Sequence, residues 1–442
     1  MTSKKTINII GLFLIFIFIF ITAYTSLYAA GYRLNWHWPL NFNQILSKTG
    51  MLTVKSTPRN VNVNLKRDTG GLFIQKDIKE NFQTPAKIQN LLPGKYQVSL
   101  EKENYWPIIR NIEIYPNQVT DLSNIFLFKK SLPLNIYISQ KGDEDLIINE
   151  EKTKLIFLSN GKIIDLDSES VKVLEHKNIK YLGNNILLSN NNLYNLESNQ
   201  VIFNLKEILN DDFKNLQVNL ENDELFYNTA EKIAYTNLEN QEKTTILEGN
   251  KYINFLIKDN YIFSVEKNNT NYFLRTYNKS TLLRQRSIII PRGDYEFYNE
   301  SNHLINLYDN NHKRLILIDN SHFLDEQKII AGVDKWKWFA NNLIWQNGQE
   351  IYRFNFKTQQ THLLLRLSES ISDFIWQTKE NYLIYSTKNS INIVYFKENR
   401  NDVIEILRAQ NIGPLFIDNT QSILYFYAQI DNQSGVFKLL LH

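Results

Sequence analysis

Few residues in this chain stand at spacings that could do chemistry. His303 and His312 flank one hairpin and could present two imidazoles to a metal. The acidic runs Asp143-Glu144-Asp145 and Asp165-Leu166-Asp167-Ser168-Glu169 offer the oxygen ligands that calcium takes. They lack the turn glycine and ligand spacing of an EF-hand loop, and Asp-x-Asp-Ser suits a hairpin turn equally well. Trp336, Trp338, Phe339 and Trp345 could stack on a carbohydrate or a peptide. Trp336 and Trp338 are two apart and so share one strand face, where packing between sheets is the simpler expectation. Asn268-Asn269-Thr270, Asn278-Lys279-Ser280 and Asn299-Glu300-Ser301 match glycosylation sequons, as chance supplies in an Asn-rich chain.

The larger catalytic signatures are missing. The chain holds no Gly-x-Ser-x-Gly elbow, no P-loop, no Gly-x-Gly-x-x-Gly and no His-Glu-x-x-His pair. With no cysteine, disulfides, thiolate metal sites and a cysteine nucleophile are excluded. A net charge of +3, from 49 basic and 46 acidic residues, implies no field for nucleic acid. No catalytic, cofactor-binding or metal-ligating residue is therefore assigned, and no cofactor is expected.

The elements that must position any site are easier to read. Ile, Leu and Phe dominate Ile7 to Ala30, and no charge falls between Lys5 and Arg33. A helix of that length, roughly 36 Å, spans a bilayer. It exceeds the apolar core of a signal peptide, and Leu27 and Tyr28 stand where cleavage needs small residues, so an uncleaved anchor is expected. Lys4 and Lys5 before it keep residues 1–6 as a cytoplasmic tail and send the remainder across. Tyr32, Trp36 and Trp38 suit the outer interface, within a linker over residues 31–49. No second segment of comparable apolarity follows, so a single pass through the lipid bilayer at residues 7–30 is expected.

Past the linker the apolar period becomes two. Leu52 and Val54, Val61 and Val63, Tyr96, Val98 and Leu100, and Ile114 alternate with polar residues and, with Leu92, define the core of a small β-sandwich over residues 50–129. Turn signals separate the strands at Thr57-Pro58, Thr84-Pro85 and Pro93-Gly94. In order and spacing, Ser56-Thr57-Pro58, Thr84-Pro85, Leu91-Leu92-Pro93-Gly94-Lys95-Tyr96-Gln97-Val98 and Asn104-Tyr105 resemble a PEGA domain. The chain departs from that pattern where the family has Pro-Glu-Gly-Ala and this sequence has Pro58-Arg59-Asn60-Val61. The hairpin between Leu65 and Thr84 is also longer. The resemblance implies an extracytoplasmic cell-envelope sandwich without catalytic residues.

From residue 131 to 442 an apolar triplet recurs. Leu155-Ile156-Phe157, Ile186-Leu187-Leu188, Leu225-Phe226-Tyr227, Tyr261-Ile262-Phe263, Leu304-Ile305-Asn306, Leu343-Ile344-Trp345, Leu383-Ile384-Tyr385 and Ile423-Leu424-Tyr425 are spaced about 38 residues apart, near the period of a propeller blade. Eight blades are favoured, and one short spacing near the start leaves seven open. The last repeat lacks a fourth strand, which Leu134-Asn135-Ile136-Tyr137-Ile138 could supply to close the ring. The fold expected is all-β after one transmembrane helix: a PEGA-like sandwich, then a β-propeller.

Function is expected to follow that architecture: a membrane-anchored extracytoplasmic module whose propeller binds an envelope protein or glycan without catalysis. The alternative is a propeller enzyme of polysaccharide lyase or hydrolase type, with acidic residues from different blades meeting at the central channel, a pattern that local spacing cannot reveal. A reporter fused after His442 should be active only outside the cytoplasm; activity confined to the cytoplasm overturns the orientation.

Overall fold

A computed structural model describes residues 4–34, 46–67, 77–139, 145–174, 179–209, 213–220, 222–249, 251–298, 304–319, 327–339, 341–377, 382–396 and 401–442. Trp36, Trp38, Asp143, Glu144, His303 and the sequon at Asn299 lie outside them. The described chain divides into two compact units, Met1–Leu132 with Leu440–His442, and Pro133–Leu439.

The first unit opens with an α-helix, Lys4–Ala29, the one helix among the described residues long and apolar enough to cross a membrane. Leu12, Phe13, Phe16 and Phe20 are all exposed, so the helix is apolar on every side described rather than on one packed stripe. Two of its threonines bond back to the helix: the Thr22 hydroxyl donates to the Phe18 carbonyl at 2.7 Å and that of Thr25 to Ile21 at 2.9 Å. Back-bonding of this kind lowers the cost of placing these two hydroxyls in lipid.

The sandwich follows. In one sheet Gly50–Thr57 pairs antiparallel with Ala86–Leu91 and parallel with Val119–Phe126. In the other the order is Asp77–Gln83, Asn62–Arg67, Gly94–Glu101 and Ile108–Ile114. Leu52, Val54, Val61, Val63, Tyr96, Val98, Leu100 and Ile114 are buried between them, as alternation predicts. Leu92 is not part of this core. Leu91, the last residue of its strand, points inward instead, and Leu92 lies beyond the strand, where its carbonyl accepts the Tyr96 hydroxyl at 2.7 Å. The motif residues knit the turns: Ser56 and Thr84 hydroxyls meet at 2.6 Å, and Thr84 also accepts the Val61 N–H at 3.1 Å. The departure at Pro58-Arg59-Asn60-Val61 has a conformational explanation. Asn60 has φ +58°, the left-handed region that glycine favours and asparagine tolerates.

The second unit is the propeller. Among the described residues it holds eight four-stranded antiparallel sheets. Seven run in simple chain order across residues 146–173, 180–204, 215–248, 251–290, 295–331, 335–366 and 371–408. The eighth combines Leu415–Ile417, Ile423–Ile430 and Gln433–Leu440 with Leu134–Ile138, which pairs antiparallel with the last of these. Every apolar triplet lies in the second strand of its sheet. The reason these runs are continuous rather than alternating is that both faces are covered. Leu155 and Phe157 of the first sheet pack with Tyr425 and Val436 of the eighth, whereas Ile156 packs with Leu187 of the second. Similar clusters join each successive pair from the second sheet to the seventh.

Closure depends on a close approach at Gly435, opposite Ile138. A methyl there would lie 2.0 Å from the Tyr137 carbonyl oxygen and 3.1 Å from its carbon, backbone that a rotamer change cannot move. Gly435→Ala is expected to cost at least the about 1–3 kcal/mol typical of overpacking. Denaturant unfolding of the full-length chain, followed by tryptophan fluorescence, checks it; wild-type stability would mean that this strand pair does not hold the ring.

Candidate functional site

Polar side chains of several innermost strands hold neighbouring sheets together. Gln217 of the third sheet donates to the Ile257 carbonyl at 2.7 Å and accepts its N–H at 2.8 Å, clasping the first strand of the fourth. Asn254 in turn reaches the Tyr295 carbonyl of the fifth at 3.0 Å. Lys335 and Lys337 of the sixth sheet donate to the carbonyls of Ser372 and Phe374 of the seventh, each at 2.9 Å. Buried Asp373 accepts the N–H of Phe374 and, at 2.9 Å, that of Leu415 in the eighth. Each polar side chain thus substitutes for a hydrogen bond that adjacent, unpaired inner strands cannot make directly.

The aromatic group divides rather than forming one platform. Trp336, Trp338 and Trp345 pack between the fifth and sixth sheets with Tyr308, while Phe339 joins the cluster between the sixth and seventh. Trp336 lies 4.7 Å from the Tyr308 ring and 4.9 Å from that of Tyr298. Trp345 stacks on Tyr352 at 5.2 Å. This is inter-sheet core, as the two-residue spacing predicts.

Acidic residues at turns are held by hydrogen bonds. Asp165 accepts the N–H and hydroxyl of Ser168 at 2.9 and 2.8 Å, and these bonds lower its pKa. Asp309, fully buried, accepts Arg314 Nε at 3.0 Å and Nη2 at 2.5 Å, His312 Nδ1 at 2.9 Å and the Asp294 N–H at 3.0 Å. Burial alone would raise its pKa, but these donors outweigh it and the net direction is down. Asp334, against burial, is likewise lowered by Lys313 and the Gly348 N–H, and Glu350 by Tyr352 first and Arg366 next. His312 is thereby a turn residue. Among the described residues, no group of three His, Asp or Glu suits a metal. An acid catalyst needs a raised pKa, and these four displaced propeller carboxylates all move the other way.

One buried network has a more enzyme-like composition. Glu266, at 1% exposure, accepts the Ser264 hydroxyl at 2.6 Å and the Tyr277 hydroxyl at 2.9 Å, and pairs with Arg275. Burial, then the Glu266 charge, pushes the Tyr277 phenol up to about 12. Ile262 and Tyr277, from the same two strands, pack with Phe226 and Ile233 of the third sheet, so the network stands in an apolar seam.

An open groove of about 1070 Å³ lies on the seventh and eighth sheets. Three turns and connections build it. The turn between the middle strands of the seventh sheet supplies Lys388 and Asn389, and that of the eighth supplies Asp431 and Asn432. The connection between the two sheets supplies Ala409, Gln410 and Asn411. Asp431 and Asn432 have φ of +48° and +64°, and Asn411 +50°, so Asn and Asp are there because the turns need left-handed backbone. Backbone bonds fix the connection in place: Ala409 N–H to the Asn389 carbonyl at 3.1 Å, Ile412 N–H to Lys388 at 3.0 Å, and Gln410 reciprocally with Gln429. Buried Thr387 and Ser390 form the floor, their hydroxyls 3.0 Å apart. Arg408 is held bidentately by Glu405 at 3.1 and 3.0 Å, and that bond raises its pKa. Sequence reasoning missed this groove; its one signal was Asn and Asp at equivalent turns of successive repeats.

Residues 49–126 match the family model of the PEGA domain. No curated protein matches the chain. Among solved structures the chain is similar to the Dos1 propeller, at 12% identity and a TM-score of 0.47, covering 70% of this chain and 96% of that one. It is also similar to a eukaryotic initiation factor (11%, 0.45, covering 71% and 90%) and to Kluyveromyces lactis Hsv2 (10%, 0.40, covering 63% and 99%).

The Glu266 network yields a stability prediction. Arg275→Met should destabilise the chain by about 3–5 kcal/mol by leaving a buried carboxylate without its partner. The double variant with Glu266→Met should recover much of that loss. Equal losses in the single and double variants, measured by denaturant unfolding, would show that the pair is not what the seam depends on.

Proposed function

We propose that the protein is a single-pass, membrane-anchored envelope protein and that its propeller is a non-catalytic binding or scaffolding module for an envelope protein or glycan. In this reading residues 1–6 are cytoplasmic, 7–30 cross the bilayer, 31–49 are a linker, and both the sandwich at 50–129 and the propeller at 131–442 are extracytoplasmic. The apolar helix and the PEGA match at residues 49–126 support the compartment. The observation that carries the binding role is the division of polar groups. Inner-strand Gln217, Asn254 and Asp373 are engaged in holding sheets together, whereas the groove presents exposed Lys388, Asn389, Gln410, Asp431 and Asn432. A rigid scaffold that leaves polar loop groups unengaged is the usual layout of a recognition surface.

A photo-crosslinking residue placed at Asn411 in the full-length chain, expressed in its own membrane, should yield a discrete adduct. The same residue at exposed Lys172, on the outermost strand of the first sheet and outside the groove lining, should not. Adducts of equal yield at both positions, or at neither, would remove the groove as the binding surface.

A further inference from the structure

The groove's chemistry narrows the partner, an inference that rests on the binding-module reading above. From its lining we infer that the groove accepts a neutral, hydroxyl-rich glycan chain. The lining contains five side-chain amides, from Asn389, Gln410, Asn411, Gln429 and Asn432. An amide is planar and carries two N–H donors beside an oxygen with two lone pairs, so it matches the paired donor and acceptor character of vicinal hydroxyls. Asn411 donates to Gln429 at 3.3 Å, which orients two of the five. Asn389, Gln410 and Asn432 are exposed, and their amides have no hydrogen-bond partner among the described residues.

Two other classes fit less well. Protein interfaces draw most of their energy from a few buried aromatic or arginine anchors in apolar pockets. The groove's apolar lining is Ala409 and Ile430, it includes no aromatic residue, and its arginine is already held by Glu405. An anionic polymer would need a cationic surface. Here Lys388 and Arg408 face Glu369, Glu405 and Asp431, two cations against three carboxylates. What remains is a ligand recognised through many hydrogen bonds and no net charge. Such bonds are individually weak in water. An envelope polymer compensates by repetition, since many anchored copies can engage one chain.

The experiment uses the full-length chain in lipid nanodiscs. It is applied to an array of neutral oligosaccharides of glucose, galactose, mannose and N-acetylglucosamine, with heparin, polyphosphate and an extended Ser/Gly peptide as comparisons. Binding to at least one neutral glycan is expected, changing less than about twofold between low and high salt because no ion pairs are screened. Asn389→Ala with Gln410→Ala should weaken it at least tenfold while leaving the thermal transition unchanged, because neither side chain makes a bond that the fold uses. A parallel arm treats envelope material with periodate, which cleaves vicinal diols, or with protease before capture. Loss on periodate alone supports the glycan. Loss on protease alone overturns the glycan and leaves the binding-module reading standing. Preference for heparin or polyphosphate, no neutral glycan bound at millimolar concentration, or binding indifferent to the double substitution each overturns the inference.

Discussion

The propeller depends on the pairing of Leu134–Ile138 with Gln433–Leu440. Without it the eighth sheet would have three strands, Gln433–Leu440 would present a raw edge of unpaired N–H and C=O groups, and nothing would tie the start of the repeat domain to its end. The pairing joins the start of the repeat domain to its end, and Tyr425 and Val436 then complete the same apolar layer as Leu155 and Ile164 of the first sheet. Among the described residues, apolar burial between sheets thus runs from the eighth through the first to the seventh. Gly435 follows from this: where the two ends of the domain must lie backbone to backbone, a side chain cannot intervene.

A second constraint acts at the centre. Adjacent sheets pack face to face, so their first strands approach without laddering to one another, and the backbone groups between them need other partners. Gln217, Asn254, Lys337 and Asp373 supply those partners where the third sheet meets the fourth, the fourth the fifth, the sixth the seventh and the seventh the eighth. The choice of residue is chemical. An amide can both donate and accept, as Gln217 does with Ile257; a lysine reaches a carbonyl; and a carboxylate accepts two N–H groups at once. Polar residues that would otherwise suggest a catalytic channel are in this way part of the packing. The same holds at the turns, where Asp165 and Asp309 are kept ionised by the donors that shape the hairpin.

Much of the fold was legible in the sequence because burial on two faces has a signature. A run such as Leu343-Ile344-Trp345 must satisfy both neighbours, so it cannot alternate, and its recurrence marked each second strand. The closing strand was legible by subtraction, since one repeat lacked a strand and one spare strand stood before the first. Single residues were less legible. Leu91 and Leu92 are chemically identical, and only the strand's end decides which faces inward. The groove left almost no trace. Its residues come from separate segments near 369, 387–390, 405–411 and 429–432, and Asn411, Asp431 and Asn432 are of types that left-handed turn positions favour anyway. Asn432 would be chosen for φ +64° whether or not its amide met a ligand.

That coincidence bears on how such a surface acquires function. Turn positions needing left-handed backbone admit Gly, Asn or Asp. Only Asn and Asp place a polar group at the surface, and Asn does so without charge. A ring whose closure, core and inner junctions are settled by strands leaves its turn residues free to differ from one sheet to the next. Two adjacent sheets whose turns carry Asn389, Asn411, Asp431 and Asn432 therefore form a polar recognition surface at no cost to the scaffold, and the buried hydroxyls of Thr387 and Ser390 fix the floor on which those groups stand. Specificity in this architecture is a matter of which turns adjoin, which the order of the sheets determines and no single repeat contains.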